Sequence, residues 1–188
     1  MSTAAPARAL AAPRLDADRS TAGEVAAHLA RCSDAFVPPL AARVDLDDYA
    51  GRLVARAARE EAWADGVLVG LVAMYCNRPG EAAFVTSVSV DSDWRGEGLA
   101  ATLLGRAIER AGRAGAPCVE LEVDPANAPA RALYRRAGFT PLPAPPMSPT
   151  VATDRPRTPV APDAPVAPDA PAPAVLRLRR PLHRTDRP

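Results

Sequence analysis

The chain reads as an α/β protein, one mixed sheet with helices on its faces. Three observations predict this. Two segments before residue 60 carry apolar residues at helical spacing. A strand-like run, a tight turn and a longer strand-like run then follow with no helix between them, the mark of antiparallel neighbours. From Phe84 onward, strand-like and helix-like segments alternate. The 188 residues suffice for one domain with a real core and are too few for two large ones.

The elements follow in order. Residues 1–13 are broken by prolines and arginines and read as a flexible tail, with Arg14-Leu15-Asp16 as a short first strand. Thr21 followed by Glu24 is a capping-box signature, and Val25, Leu29, Cys32 and Phe36 mark one face of a helix that Pro38-Pro39 should end. Asp45 is an N-cap candidate for a second helix, with Leu46, Tyr49, Leu53 and Ala57 on one side. Ala62–Ala64 and Val67–Tyr75 flank Asp65-Gly66, a two-residue hairpin signal. Val85-Thr86-Ser87-Val88-Ser89-Val90 alternates as a half-buried strand does. A helix from Gly98 to about Arg113 shows Leu99, Leu103, Ala107, Ile108 and Ala111 on one face and stops at Gly115. Cys118–Val123 is the next strand. Asn127 caps a short helix with Pro129 in its first turn, Gly138 closes it, and Phe139 opens a further strand.

Residues 143–174 read as a Pro-rich disordered insertion. They contain a direct repeat, 160–165 and 166–171, with the character of an extended polyproline-II tether. Val175–Arg179 alternates again and is expected to return as a last strand beside the Phe139 strand. Loop-closure entropy grows only logarithmically with length, so the long connection costs little more than a short one. The domain is therefore expected to comprise 14–142 plus 175–182, with 183–188 as a C-terminal tail. Arg177, Arg179 and Arg180 read as the solvated face of an edge strand.

Composition removes several function classes. The net charge of +1 argues against a nucleic-acid or acidic-membrane partner. All 23 basic residues are arginine, so no lysine is available for Schiff-base chemistry. Cys32, Cys76 and Cys118 are far apart and odd in number, which suggests neither a disulfide framework nor a zinc site, and no metal is expected. The N-terminus lacks a signal-peptide core, and the longest apolar run, Val67–Cys76, is about half of what a membrane span needs. The expected location is cytoplasmic. His28 and His183 stand in the sequence without Ser, Cys or Asp in triad-like company, so no nucleophile is assigned.

The stretch that carries chemistry is Trp94-Arg95-Gly96-Glu97-Gly98-Leu99-Ala100-Ala101. A strand, a glycine turn and a helix N-terminus make an anion cradle. Glycine lets the backbone approach a phosphate, and unpaired N–H groups with the helix dipole favour negative charge. A phosphate-bearing cofactor follows. Gly96-x-Gly98-x-x-Ala101 also fits a dinucleotide fingerprint, with Glu120 or Glu122 about twenty residues on. Asp91–Arg95 intervene between strand and turn, however, two helices and a hairpin precede the unit, and too few strands follow it. A P-loop pattern is absent.

Read as Arg95-x-x-Gly98-x-Ala100, the turn resembles motif A of the GCN5-related N-acetyltransferase (GNAT) superfamily. Leu121-Glu122-Val123-x(3)-Asn127-x-x-Ala130-x-x-Leu133-Tyr134-x(3)-Gly138-Phe139 resembles its motif B. The likeness covers about residues 62–142, and the Pro-rich insertion departs from the pattern. It implies an acyl-CoA N-acyltransferase fold, with a mostly antiparallel sheet splayed between its fourth and fifth strands. It also implies acetyl-CoA as cosubstrate.

The resemblance further implies that the pyrophosphate sits on the N–H groups of Arg95, Gly96, Glu97, Gly98, Leu99, Ala100 and Ala101. Pantetheine would add to the splayed strand at Val88 and Val90, with Ser87–Val90 engaged through their backbone. Tyr134 would protonate the leaving thiolate, Leu133 supplying the apolar contact beside it. Asn127 would both cap its helix and touch pantetheine. Glu122 is the first candidate for the base that deprotonates the amine, in a Leu-Glu-Val segment similar to that of the ribosomal-protein N-terminal acetyltransferases. A solvated or Arg-paired Glu122 and a water relay stay open. The expected reaction is direct transfer in a ternary complex to a primary amine of a small molecule or amino sugar. A protein N-terminal acetyltransferase and a non-catalytic acyl-CoA-binding regulatory module are the alternatives. A homodimer is left open.

Overall fold

A computed structural model describes residues 12–142 and 175–182. The expected insertion 143–174, the C-terminal tail 183–188 and all but the end of the N-terminal tail lie outside those residues. The sheet is formed by β1 (Arg14–Ala17), β2 (Ala58–Ala64), β3 (Val67–Tyr75), β4 (Ala83–Val90), β5 (Cys118–Val123), β6 (Thr140–Pro141) and β7 (Leu176–Pro181). The helices are α1 (Ala22–Cys32), α2 (Leu46–Arg56), α3 (Leu99–Arg113) and α4 (Ala128–Arg136). Strand order is β1-β2-β3-β4-β5-β7-β6, antiparallel throughout except for the parallel β4–β5 pair. That is the mixed, mostly antiparallel sheet expected.

Two apolar layers sandwich the sheet. Val25 and Leu29 of α1 and Tyr49 and Leu53 of α2 pack with Leu68, Leu71 and Ala73 on one face. Leu103, Leu104 and Ile108 of α3 pack with Val85, Val119, Leu121 and Tyr134 on the other. The predicted caps form. Thr21 and Glu24 exchange capping-box bonds, and Asp45 and Asn127 accept from Asp48 N and Ala130 N at 2.9 and 3.1 Å.

Four local expectations are corrected. The first helix stops at Cys32, before Phe36 and the prolines, because a 3-10 turn over Ser33–Ala35 takes over and the Ser33 hydroxyl accepts from Ala41 N at 2.9 Å. β2 begins at Ala58, four residues earlier than its apolar signal, since Arg59, Glu60 and Glu61 are buried in it. Glu61, fully buried, accepts from Arg19 N, Ser20 N and Oγ, Arg59 Nε and Trp63 Nε1 at 2.5–3.2 Å, clasping the β1–α1 connection to β2. Phe139 is buried just ahead of a strand that spans only Thr140–Pro141. Finally, β7 does pair with β6, as expected, but it also pairs with β5 and so lies inside the sheet, not at its edge.

That last position gives the arginines partners. Arg179 Nε donates to Glu120 Oε1 at 2.7 Å and Arg177 Nη2 to Glu120 Oε2 at 3.2 Å, so they form a cross-strand ladder rather than a solvated edge.

Candidate active site

β4 and β5 pair at only three positions, Ala83 with Val119, Phe84 with Glu120 and Val85 with Leu121. Beyond Val85 the two strands part. β5 continues with β7 through Glu122 and Val123, and β4 continues with β3 to Val90. The register of β4 against β3 slips at the same point: Met74 faces Val85 and Ala73 faces Ser87, leaving Thr86 as the extra residue of a bulge. One side of β4 from Thr86 to Val90 thus offers its backbone to a slot rather than to a strand. Val88 and Val90, assigned to the cofactor, lie along that slot.

At its end comes the glycine turn. Gly96 and Gly98 have φ of 86° and 80°, the left-handed region that glycine enters without strain. Arg95 is exposed, and its Nε donates to Val90 O at 2.9 Å, tying the turn to the strand it leaves. Among the described residues no acceptor takes the backbone N–H groups of 96–101, while Thr102 N already bonds to Gly98 O. Glu97 and Ala101 are exposed and Leu99 is buried. The cradle therefore consists of main-chain donors at the mouth of α3, and it fits a pyrophosphate.

Tyr134 lies in the α3-side core, 7 % exposed, with its ring edge-on to Phe139 at 5.9 Å. Leu133, half-buried, packs against the same core as expected, and Tyr134 is the more deeply buried of the two. Burial pushes its phenol up to about 12, and among the described residues no group bonds the hydroxyl. Such a group stays protonated at neutral pH and is available to donate. Asn127 spends its side-chain oxygen on the α4 cap, which leaves the amide N–H groups.

The two acidic candidates separate clearly. Glu120 is buried and held by both Arg177 and Arg179. Glu122 is 35 % exposed, and its nearest cation, Arg177 Nε, stands 3.6 Å away, outside hydrogen-bond range. Register with β7 puts both on the α1–α2 face of the sheet. Glu122 and Ser87 therefore stand on the same face, on opposite lips of the slot.

Three features escaped the sequence reading. The Tyr49 hydroxyl, read only as part of an apolar helix face, donates to Thr86 O at 3.2 Å, at the bulge itself. Ser87 Oγ is buried and is the one such side-chain polar atom without a hydrogen-bond partner among the described residues. Lastly, His28 does have triad-like company. Its Nε2 lies 2.9 Å from Ser89 Oγ, and its Nδ1 lies 3.0 Å from Leu68 O and 3.3 Å from Asp91 Oδ1. Cys32 Sγ donates to Asp91 Oδ1 at 3.2 Å. The His-x-x-x-Cys spacing on one helix was the available signal.

That grouping is buried under α1 and internally bonded. Burial acts to raise the Asp91 carboxyl, but hydrogen bonds from His28, Cys32 and Arg31 outweigh it and hold the pKa at about 2. Burial first, then Asp91, pushes the Cys32 thiol up to about 12. The cluster pins α1 to the carboxyl end of β4, where the glycine turn begins.

Comparison with known proteins now bears on this geometry. The model of the Acetyltransferase (GNAT) family matches residues 24–139. The chain belongs to that family. This acetyltransferase-family chain is 39 % identical over 80 residues to an uncharacterized N-acetyltransferase of Methanocaldococcus jannaschii, a match covering 40 % of the chain and 35 % of that protein's length. Its fold is similar to the ribosomal-protein-alanine N-acetyltransferase of Brucella melitensis, at 22 % identity and a TM-score of 0.59, covering 90 % of this chain and 99 % of that one. It is also similar to a Bacillus subtilis acetyltransferase solved in complex with CoA, at 18 % identity and a TM-score of 0.60, covering 91 % and 99 %. Among the described residues no helix is long and apolar enough to cross a membrane.

Proposed function

We propose that this chain is a cytoplasmic N-acetyltransferase that moves an acetyl group from acetyl-CoA to a primary amine, probed best as a small molecule or amino sugar. The observation that supports the reading is the parting of β4 and β5 after Val85 and Leu121, with the N–H cradle of residues 96–101 following the end of β4. The slot offers main-chain partners to an extended arm, and the cradle offers donors to a pyrophosphate. Acetyl-CoA, when bound, supplies an acetyl group already activated as a thioester.

The chain's own residues do the rest. The cradle and the Asn127 amide hold the cofactor, and Val88 and Val90 orient its arm along β4. Glu122, exposed and facing Arg177 at 3.6 Å without a hydrogen bond to it, takes the proton of the incoming ammonium. Tyr134, kept neutral by burial, holds the proton that the departing sulfur requires. The nucleophile is the acceptor itself, so transfer is direct within a ternary complex.

Product formation from acetyl-CoA and a panel of amines tests this, with Tyr134→Phe and Glu122→Gln alongside. Binding of CoA without turnover of any amine sinks the enzyme reading in favour of a regulatory acyl-CoA-binding module. A second acceptor class, a protein N-terminus, is favoured by the likeness to the Brucella enzyme and by the place of Glu122. Acetylation of peptide N-termini in preference to small amines would select it.

A further inference from the structure

The α1–α2 face of the sheet is covered by helices only over its first half. α1 and α2 pack on β2–β4, whereas β5 and β7 turn Glu120, Glu122, Arg177 and Arg179 to the same side. A trough therefore runs between the flank of α2 and the carboxylate–guanidinium ladder. Register defines its floor. Tyr75 pairs with Phe84, and Phe84 with Glu120, so Tyr75 and Phe84, both half-buried, form a row beside Glu120. The next row, toward the slot, holds Ser87 on one lip and Glu122 on the other.

The α2 flank is basic. Arg52 lies over the Tyr49 ring with Cζ at 5.9 Å from its centroid, and Arg56 follows one turn on, on the same side of the helix. Burial raises the Tyr75 phenol, and the charges of Arg52 and Arg56 act against that rise, so both lie within electrostatic reach of the aromatic row. Unlike Arg177 and Arg179, neither forms an ion pair with a described carboxylate. Ser87 Oγ, 4 % exposed, makes no hydrogen bond of ordinary length and angle among the described residues; the Tyr49 hydroxyl lies near it, and the Oγ keeps capacity for a further polar group in the row beside Glu122.

We propose that this trough is the acceptor site and that it selects an amine carrying a carboxylate or phosphate, the amine lying between Ser87 and Glu122 and the anion on Arg52 and Arg56. The proposal rests on the transferase reading. Successive rows on one face of a strand are about 7 Å apart. The anionic group thus lies about 7 Å or more from the amine. Arginine is suited to either anion, since its planar fork binds both in a bidentate manner. The same wall repels a strongly basic peptide.

Equilibrium binding to the CoA-loaded chain tests this without depending on turnover. The probes are matched pairs, 6-aminohexanoate against hexylamine and glucosamine 6-phosphate against glucosamine. The anionic member of at least one pair should bind about ten-fold tighter or more, and the two pairs tell carboxylate from phosphate. The double variant Arg52→Gln/Arg56→Gln should abolish the preference while leaving CoA affinity and melting temperature unchanged. In the unaltered chain the preference should weaken as salt rises, a readout that needs no variant. Equal binding within both pairs, no binding by any probe, a salt-independent preference, or one that survives in the double variant would overturn the proposal. An anion preference with no acetylation of any amine in the panel would leave the anion-selective amine site standing but remove the transferase reading and, with it, the acceptor role.

Discussion

Val85 and Leu121 form the last rung between β4 and β5, and one residue later Thr86 bulges out of register with β3. Parting and bulge together free one side of β4 for five residues, Thr86–Val90, in the middle of an otherwise continuous sheet. Backbone groups at such a place need partners. A ligand that runs as an extended strand supplies them, and Ser87 and Glu122 stand on the two strands that border that opening.

Tyr134→Phe removes only a hydroxyl that no described group bonds, so the melting temperature should stay close to that of the unaltered chain. Turnover should fall about 10²–10⁴-fold, the usual worth of a positioned acid. An acid acts while protonated, and burial moves this one from 10 to about 12. The rate–pH profile should therefore show no loss from this group near pH 10, the loss following only as pH approaches 12. Full turnover by Tyr134→Phe would remove the assignment.

Glu120→Gln and Glu122→Gln should fail in different ways. Glu120 anchors Arg177 and Arg179 across β5 and β7, so its loss leaves two guanidinium groups without their carboxylate and lowers stability by about 1–3 kcal/mol. Glu122→Gln should keep stability within about 0.5 kcal/mol, as surface changes usually do. Its effect should be on kcat/KM, with loss of the acidic limb of the pH profile. Denaturant midpoints and pH–rate curves for the pair separate the roles. A normal rate with an unshifted limb discards Glu122 as base.

Gly98→Ala has space for its methyl group but not the backbone for it, since φ is 80° and nothing lies within 4 Å of the added carbon. Holding alanine there costs about 1–2 kcal/mol. The turn should relax, the N–H cradle should lose its aim, and the KM for acetyl-CoA should rise about ten-fold with a smaller change in kcat. An unchanged KM would mean that the cradle does not carry cofactor affinity.

Asp91 sets an acid sensitivity. Its folded-state pKa of about 2 lies below the ordinary 3.8 because His28, Cys32 and Arg31 bond the carboxylate. A depressed carboxyl stabilises the fold above 3.8 and loses that contribution as pH falls toward 2. The shift corresponds to about 2–3 kcal/mol at most, at 1.36 kcal/mol per unit. Urea midpoints should show the unaltered chain losing this increment between pH 4 and 2. Asp91→Asn should be less stable at pH 6 and show a flatter acid response. Parallel curves for the two proteins would rule the linkage out.

Much of the fold was legible in the sequence because its signals are local. Caps at Thr21, Asp45 and Asn127, the Asp65-Gly66 turn and the glycine pair at 96 and 98 each act within a few residues of the chain. The glycine turn by itself pointed to a phosphate-bearing ligand, and the resemblance of the two motifs to the GNAT family implied acyl-CoA chemistry. What local signals could not show was pairing. Arg59, Glu60 and Glu61 look like a solvated run until Glu61 is seen to collect donors from Arg19, Ser20 and Trp63. His28 looks solitary until β4 brings Ser89 and Asp91 beneath α1.

By itself, the sequence determined the order and type of the elements, the glycine conformations of the cradle and the family to which the chain belongs. Short-range geometry of caps, turns and periodicity dictates the first two, and the resemblance of two motifs pointed to the third. Only the tertiary structure decided which carboxylate is hydrogen-bonded by arginine and which is not, where the sheet opens and which face stays uncovered. Those depend on β7 entering between β5 and β6: it supplies the arginines that occupy Glu120 and leave Glu122 exposed. Strand order is a long-range choice among hydrogen-bonding partners, and no stretch of local sequence encodes it.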